Sequence, residues 1–384
     1  MAGKHMRKKF LPYGFHWIDN ADIKEVIDVL KSDWIIMGSK VKEFEHAICK
    51  YVGCKHGVAV NSGTSALDIA VGSLGIKRGE IITTPFTFVA TVNSILFNGL
   101  KPILVDIKHD TYNINPDEIK KKITKNTKAI IYVDFAGQPC DIKEIKEIAE
   151  KHNLYLIEDA AHALGAEYCD KKVGAFADIT IFSFHPVKHI TTGEGGMCVT
   201  NDEEFAQRMQ NLRNHGIDTG AMERFGSGAF WAYEIKLLGR NYRMTDFQAA
   251  LGLSQLKKLE RFIKRRQEFA TLYNEKLKNL LSITTPYVSP NVKHAWHLYT
   301  ILLEKKVDRN KFITKMRTKN IGVTVHYPPV YSFSYYRENF NFRPRDFPVT
   351  EDISNRIVTL PIFPKMHDED VEDVVSAIEE SIGD

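Results

Sequence analysis

The sequence predicts an α/β fold in which helices flank a mostly parallel central sheet, followed by a small C-terminal α+β lobe. From residue 20 to about residue 200, short runs of apolar and β-branched residues alternate with segments whose apolar residues have helical spacing. Strands that are almost continuously apolar are typical of a parallel sheet covered on both faces. Beyond about residue 256 a long charged helix is followed by strand, helix, strand and helix, which indicates a second α+β unit.

Each predicted element has its own pattern. Helical spacing of apolar positions predicts helices over residues 23–31 and 41–51, and a third helix is predicted to begin at Ser65. Apolar runs predict the strands of the sheet at residues 57–60, 81–84, 102–106, 129–133, 154–157, 179–182 and 196–200. For the C-terminal unit we predict a helix over 254–278, a strand over 298–303, a helix from Arg309, a strand over 323–325, a loop over 333–348 and a helix over 368–382.

These patterns divide the 384 residues into three parts. Residues 1–20 form an N-terminal arm, and residues 21–253 form the large domain that carries the ligand site. Residues 254–384 comprise a long linking helix and the small C-terminal domain. A chain of this length is sufficient for more than one domain.

Composition and charge narrow the class of protein. The net charge of +4 is too small to imply a nucleic-acid partner, and no apolar run approaches the roughly 20 residues that span a bilayer. The 5 cysteines are odd in number and scattered, which is typical of reduced thiols in the cytoplasm. His185 and His189 are close in sequence, but Pro186 argues against the helix that a zinc pair would need. We therefore expect a cytoplasmic protein with no nucleic acid, no membrane and no metal.

Polar residues follow several of the predicted strands at the point where each strand ends. Ligands of open α/β sheets bind outside the carboxyl ends of the strands, so these positions are the candidates for a functional site. From the pattern alone no one aspartate is preferred over the others, because aspartates at strand ends often only cap turns. The positions are Asn61, Thr84, Asp106, Asp134, Asp159 and Ser183.

Lys188 is the most informative of the candidate residues. It lies between a predicted buried strand that ends near Ser183 and the glycine-rich turn Thr192-Gly193-Glu194-Gly195-Gly196. A lone lysine is usually a solvated surface residue. At the end of a sheet strand, burial and nearby charge lower the pKa of a lysine, which lets the amine form a Schiff base with a carbonyl.

A second candidate is the turn Asn61-Ser62-Gly63-Thr64, which follows a strand and opens a helix. Free backbone N–H groups and the helix dipole make such a turn an anion site, and Gly63 permits close approach of the backbone. The alternative is an ordinary N-cap by Ser62. The turn is not a Walker motif, and the absence of GxGxxG argues against a nicotinamide dehydrogenase.

Three motifs together resemble the DegT/StrS family of sugar aminotransferases, which use pyridoxal 5'-phosphate (PLP) and have fold type I. The resemblance extends over residues 15–378, nearly the whole chain. Its motifs are Asp159-Ala160-Ala161-His162-Ala163, Phe182-Ser183-Phe184-His185-Pro186-Val187-Lys188 and Thr192-Gly193-Glu194-Gly195-Gly196. By this resemblance the predicted fold is that of a fold type I PLP-dependent transferase.

The resemblance implies roles for individual residues. Lys188 carries PLP covalently and shuttles a proton, and Asp159 keeps the pyridine nitrogen protonated. The phosphate of PLP is bound by Ser62, Gly63, Thr64 and Ser183. His162 lies near the ring hydroxyl, Phe88 stacks on the ring, and Asn241 reaches the PLP phosphate of a neighbouring subunit, which implies a homodimer with shared sites. Tyr13, His326 and Tyr327 border the substrate groove, although aromatic residues of this kind are also common in ordinary packing.

The activity implied is transfer of an amino group from an amino acid, L-glutamate by expectation, to a keto nucleotide sugar. Pyridoxamine 5'-phosphate (PMP) is the form that holds the amino group between the two half-reactions. The segments 133–139 and 162–168 most resemble the subgroup that aminates UDP-4-keto-6-deoxy-HexNAc sugars at C4, as in pseudaminic acid synthesis. The alternatives are a C3-specific aminotransferase, a PLP-dependent sugar dehydratase, which would lack Lys188, and a PLP-binding regulatory protein.

Overall fold

The computed structural model describes residues 7–218 and 233–382. Residues 1–6 of the expected N-terminal arm, residues 219–232 of the expected large domain and residues 383–384 lie outside the described residues. None of the described helices is long and apolar enough to cross a membrane.

The longer strands lie where buried apolar runs occur in the sequence. The chain also contains several strands of only two residues. In chain order they are β1 (His56–Val60), β2 (Glu80–Thr83), β3 (Lys101–Leu104), β4 (Thr127–Val133), β5 (Tyr155–Asp159), β6 (Glu167–Tyr168), β7 (Lys171–Lys172), β8 (Ile179–Ser183), β9 (Gly196–Thr200), β10 (Ile217–Asp218), β11 (Glu234–Ile235), β12 (Ile283–Thr284), β13 (Val292–Lys293), β14 (Tyr299–Leu303) and β15 (Ile357–Leu360).

Several helices begin at side chains that cap them. Asp19 caps the first helix, Ser62 the third and Asp202 the seventh. In chain order they are α1 (Asn20–Leu30), α2 (Ser39–Val52), α3 (Gly63–Ser73), α4 (Val89–Phe97), α5 (Pro116–Lys122), α6 (Ile142–His152), α7 (Glu203–Arg213), α8 (Asp246–Leu256), α9 (Leu259–Leu277), α10 (Arg309–Thr318), α11 (Ser334–Asn339), α12 (Pro348–Ser354) and α13 (Asp368–Ile382).

A seven-stranded sheet forms the centre of the large lobe, in the order β1-β9-β8-β5-β4-β2-β3. The neighbours from β8 to β3 are parallel, whereas β9 is antiparallel to both β1 and β8. Apolar cores lie on both faces of this sheet, one against α3 and another against α2 and α8. The predicted α/β architecture with a mostly parallel sheet is confirmed, and its parallel strands bring their carboxyl ends to one edge.

The small lobe is built on the antiparallel sheet β12-β14-β15, which packs against α9, α10 and α13. The strand predicted over 323–325 is wrong, because this segment makes only an isolated pair between Thr324 and Thr359. The chain at 321–325 pairs once with Leu11 of the N-terminal arm and once with β15, so no continuous ladder forms there. The strand that completes the sheet is β15, which the sequence patterns did not indicate.

Two further elements differ from the prediction. The helix predicted over 254–278 is divided between α8 and α9. Lys258 lies in the break, and its ammonium pairs with Asp19 at 2.5 Å and Asp22 at 2.8 Å, at the start of α1. The stretch 333–348 contains α11 rather than loop alone, because Tyr336 is buried in an apolar cluster with Tyr331 and supports a helical turn there.

Candidate active site

A cavity of about 440 Å³ lies at the carboxyl edge of the sheet, between the two lobes. Its walls come from strand ends, from the N-terminus of α3 and from small-lobe loops. Every predicted site residue except Asn241 lines it: Tyr13, Ser62, Gly63, Thr64, Phe88, Asp159, His162, Ser183, Lys188, His326 and Tyr327.

The N-terminus of α3 forms the anion-binding end of the cavity. Ser62 caps the helix by accepting the N–H of Ser65 at 3.0 Å. In the part of the chain that the structure describes, the N–H groups of Gly63 and Thr64 have no partner, so they are available to an anion. A Cβ on Gly63 would lie 2.9 Å from the Cβ of Ser183, which explains the glycine. Ser62 therefore caps the helix, and the turn also lines the cavity, where its role as an anion site remains a prediction.

Asp159, the last residue of β5, places a carboxylate in the cavity. Its Oδ2 accepts the hydroxyl of Thr91 at 2.7 Å, and its Oδ1 accepts the N–H of Ala161 at 3.2 Å. Thr91 in turn contacts the hydroxyl of Thr87 at 2.9 Å. Burial raises the pKa of Asp159, while Thr91, Ala161 and the charge of Lys188 oppose the rise. The carboxylate is thus held in a fixed orientation by a chain of hydroxyl groups.

The two other candidate aspartates have structural roles. The carboxylate of Asp106 accepts the N–H groups of Val349 at 2.8 Å and Thr350 at 2.9 Å, at the start of α12. Asp134 accepts the N–H of Cys140 at 2.9 Å. Neither residue lines the cavity.

Lys188 lies on the loop after β8 and directs its amine into the cavity. Its pKa is lowered to about 7, because burial and the positive charge of Arg266 lower it by more than the negative charge of Asp159 raises it. Near neutral pH a substantial fraction of the amine is therefore unprotonated, which is the nucleophilic form.

His162 and Tyr327 form a directional hydrogen-bond chain. The N–H of Ala136 donates to Nδ1 of His162 at 3.3 Å, so the neutral ring carries its proton on Nε2. That Nε2–H donates to the hydroxyl oxygen of Tyr327 at 2.9 Å. Burial lowers the pKa of His162 well below its usual range, which keeps the ring neutral. The hydroxyl hydrogen of Tyr327 is then left to donate into the cavity.

The other predicted substrate residues lie beside Tyr327. The rings of Tyr13 and His326 are 5.3 Å apart, and Nδ1 of His326 is 2.9 Å from the hydroxyl of Thr359. Burial, with a contribution from Lys188, lowers the pKa of His326 to about 3. Phe88 lines the same cavity although its side chain is largely exposed.

Asn241 is exposed and does not line the cavity of its own chain. It pairs with Asn214, and the next residue, Tyr242, accepts the N–H of Asn61 at 2.9 Å, just before the anion-binding turn. Asn241 is therefore an exposed residue next to this turn in the fold.

Sequence reasoning gave no site role to three residues that shape the cavity. Thr87 and Thr91 lie on either side of Phe88, and their spacing of four could have indicated a shared face. Arg266 donates to the carbonyl of Val187, next to Lys188, and local sequence carries no signal for this contact. The segment 294–299 resembles family segments that border the substrate groove, but only the structure brings its His297 to Lys188.

The residues present fit pyridoxal 5'-phosphate. The turn at α3 offers N–H groups and hydroxyls to a phosphate, Asp159 offers a fixed carboxylate to a ring nitrogen, and Lys188 offers an amine to an aldehyde. Among residues 7–218 and 233–382 no cluster of three or more His, Cys, Asp or Glu side chains could hold a metal ion.

An amine of lowered pKa, a buried carboxylate and an anion-binding turn in one α/β cavity define a PLP-dependent enzyme. The chain belongs to the DegT/DnrJ/EryC1/StrS aminotransferase family, whose profile matches residues 16–379. It is a sugar aminotransferase of fold type I that uses PLP.

Three relatives illustrate the similarity. PseC of Helicobacter pylori, an aminotransferase involved in the biosynthesis of pseudaminic acid, has a TM-score of 0.92 and 35% identity, with 98% of this chain and 100% of that chain covered. Spr1654 of Streptococcus pneumoniae, in its PMP form, has a TM-score of 0.93 and 30% identity, with 97% and 99% covered. SpsC of Bacillus subtilis, a spore coat polysaccharide biosynthesis protein, is 41% identical, with 98% of each chain covered.

Proposed function

We propose that this sugar aminotransferase acts on a keto nucleotide sugar, a UDP-4-keto-6-deoxy-HexNAc aminated at C4, with L-glutamate as the amino donor. The observation that carries the proposal is the cavity in which Lys188, Asp159 and the anion-binding turn meet small-lobe aromatic residues. Similarity to PseC over nearly the whole of both chains supports the choice of sugar.

In this proposal each group of the chain has a task. Lys188 holds the cofactor covalently between turnovers, and its freed amine moves the proton at the carbon that gains or loses nitrogen. Asp159 holds the proton of the pyridine nitrogen in place. When bound, the cofactor supplies the carbonyl group that takes up and passes on the amino group, and the ring that withdraws electrons from the reacting carbon. Ser62, Gly63, Thr64 and Ser183 bind its phosphate, and His162 and Phe88 contact its ring.

We also propose that the nucleotide sugar extends from the catalytic cavity into a neighbouring groove. This groove has a volume of about 810 Å³ and shares Thr87, Phe88, His326 and Tyr327 with the cavity. Its outer part carries the exposed rings of Phe333 and Tyr335. Exposed aromatic rings in a groove suit stacking on a sugar or a nucleobase.

Replacing both Phe333 and Tyr335 with alanine is expected to raise KM for the nucleotide sugar about threefold to tenfold per ring, with kcat almost unchanged, because stacking contributes to binding and not to chemistry. Steady-state kinetics with the sugar as the varied substrate measures this. The matched control is Tyr155→Ala, which removes an exposed ring outside the groove. An unchanged KM in the double variant would contradict the groove assignment.

The experiment that tests the substrate is incubation of the enzyme with L-glutamate and a panel of UDP- and dTDP-linked 3-keto and 4-keto sugars. Mass spectrometry of the amino-sugar product is the readout. We expect conversion of the UDP-4-keto-6-deoxy-HexNAc at the highest rate. Preferred amination of a 3-keto sugar would replace the C4 assignment, and loss of oxygen without gain of nitrogen would indicate a dehydratase.

We infer that the active form is a homodimer with shared sites. An exposed apolar patch lies on α1 and on the loop after it, formed by Ile23, Ile27, Leu30, Trp34, Ile35 and Ile36. The loop part of this patch contacts the chain shortly after Asn241, because the N–H of Asp246 donates to the carbonyls of Ile35 and Ile36. Apolar patches of this kind mark protein interfaces, and a two-fold interface would make two equivalent composite sites.

Replacing Asn241 with alanine is expected to weaken PLP binding more than it slows chemistry, because a neutral amide only donates to the phosphate. The decisive measurement mixes Lys188→Ala and Asn241→Ala chains under subunit exchange, at a PLP concentration that leaves the Asn241→Ala homodimer mostly empty. A heterodimer then holds one site with both defects and one with neither, so activity should partly return. No recovery despite demonstrated exchange, or a fully active monomer, would refute shared sites.

The proposal also covers the domain organisation and the cellular location of the enzyme. The parts of the chain correspond to an N-terminal arm (1–20), a large PLP-binding domain (21–253) and a linking helix with a small domain (254–384). All five cysteines are free, which supports our inference that the enzyme works in the reducing cytoplasm.

A further inference from the structure

His297 of the small lobe reaches the amine of Lys188. Its Nε2 lies 3.4 Å from Nζ of Lys188, and within the described part of the chain it is the one side chain that this amine can hydrogen-bond. Asp159 and Arg266 are the charged groups near the amine. They shift its pKa by electrostatic interaction at a distance and do not hydrogen-bond to it.

The imidazole of His297 is neutral. Burial lowers its pKa well below the usual range, and the positive charges of Lys188 and Arg266 lower it further. The rings of His162 and His189 lie 4.4 Å and 5.6 Å from it and are neutral for the same reason. The protonated amine of Lys188 has donors only, so toward this form Nε2 of the neutral His297 is the acceptor and Nδ1 carries the proton. That Nδ1 is buried without a partner in the described residues, a cost that an ordinary core position would not retain.

The backbone around His297 is held in an unusual shape. Trp296 has φ +50°, the left-handed region that a large side chain rarely adopts. Its ring stacks on His294 at 4.0 Å, and its indole N–H donates to Gln267 at 2.6 Å. Nη1 of Arg266 donates to the carbonyls of Trp296 and His297, each at 3.1 Å. These contacts maintain a strained turn whose effect is to point His297 at Lys188.

We propose that His297 is a positioning residue for Lys188, and that its neutral Nε2 accepts a hydrogen bond from the amine whenever that amine is free of the cofactor. The inference rests on the proposed role of Lys188. With the amine held at this acceptor, its lone pair and protons stay directed at the reacting carbon instead of turning toward Asp159. A neutral acceptor does this without adding a charge that would raise or lower the pKa of the lysine through the field.

Two substitutions of His297 separate the acceptor from the bulk of the ring. The amide of Gln extends to the position of Nε2, whereas the amide of Asn extends only to that of Nδ1. Both are made in the full-length enzyme loaded with PMP, the form in which Lys188 is free. Trace labelling of Lys188 with acetic anhydride between pH 5 and 10, read by peptide mass spectrometry, gives its pKa. Steady-state kinetics gives kcat and KM.

His297→Asn is expected to lower the pKa of Lys188 by about half a unit to one unit, because a hydrogen bond to the ammonium favours the charged form. Its kcat should fall about tenfold to a hundredfold with KM within about threefold, as expected for a misplaced catalytic group. His297→Gln should restore kcat to within about fivefold of wild type and the pKa to within about 0.3 unit. If the Asn variant does not fold, His297→Met, which matches Gln in length, makes the same comparison.

The proposal would be overturned if the Gln variant and the Asn or Met variant had the same kcat and the same pKa of Lys188. This holds if both variants resemble wild type, and also if both lose activity while the pKa of Lys188 stays unchanged. Failure of the proposed function is distinguishable from this result. It would appear as retained turnover in Lys188→Ala, whatever His297 does.

Discussion

Replacing Lys188 with alanine is expected to abolish multiple-turnover transamination, by at least about 10³-fold, or roughly 4 kcal/mol of transition-state stabilisation. In the proposed function, both the covalent attachment of the cofactor and the proton shuttle depend on this one amine. Its pKa of about 7, produced by burial and by Arg266 against the opposing charge of Asp159, is what allows it to act as nucleophile and base near neutrality. Alanine supplies none of these functions.

Two measurements check the expectation. Turnover is followed with L-glutamate and the keto sugar, and the lysine that carries PLP is located by borohydride reduction and peptide mapping. Lys188→Arg serves as a second variant, since it keeps the positive charge but not a group that can lose its proton at neutral pH. Lys293→Ala, a lysine in surface ion pairs, is the control that should keep full activity. Multiple turnover by Lys188→Ala would show that the assignment is wrong.

Asp159→Asn is expected to bind PLP and to lose nearly all activity, at a cost of several kcal/mol, on the order of 10²-fold to 10⁴-fold in kcat. The amide has the size of the carboxylate and can still accept the hydroxyl of Thr91, so the cavity should keep its shape. What disappears is the negative charge that favours a protonated pyridine nitrogen. PLP affinity, visible absorbance and kcat measured together separate this electrostatic loss from a loss of binding.

The control for Asp159→Asn is Asp178→Asn. Asp178 is an exposed aspartate that accepts the N–H of Leu156 at 2.7 Å and does not line the cavity. It should lower the melting temperature and leave kcat close to wild type. If Asp159→Asn kept activity within about threefold of wild type, a difference under ~1 kcal/mol, attention would shift to Asp134 or Asp106.

The sequence by itself determined the elements that depend on local pattern. The predicted strands 154–157 and 179–182 are runs of mostly apolar or β-branched residues, so the ends of β5 and β8, and with them Asp159 and Ser183, could be located without tertiary information. The anion-binding turn at Ser62 and Gly63 is local for the same reason, because a strand, a glycine and a helix start follow one another directly.

Only the tertiary structure decided which strand-end side chains meet. Asp106, Asp134 and Asp159 have the same sequence pattern, but Asp106 caps α12 from another lobe and Asp134 turns to the N–H of Cys140. Which carboxylate faces the cavity depends on contacts between segments far apart in the chain, and a local pattern carries no information about them. His297 approaches Lys188 from 109 residues away for the same reason, held there by a guanidinium on the linking helix.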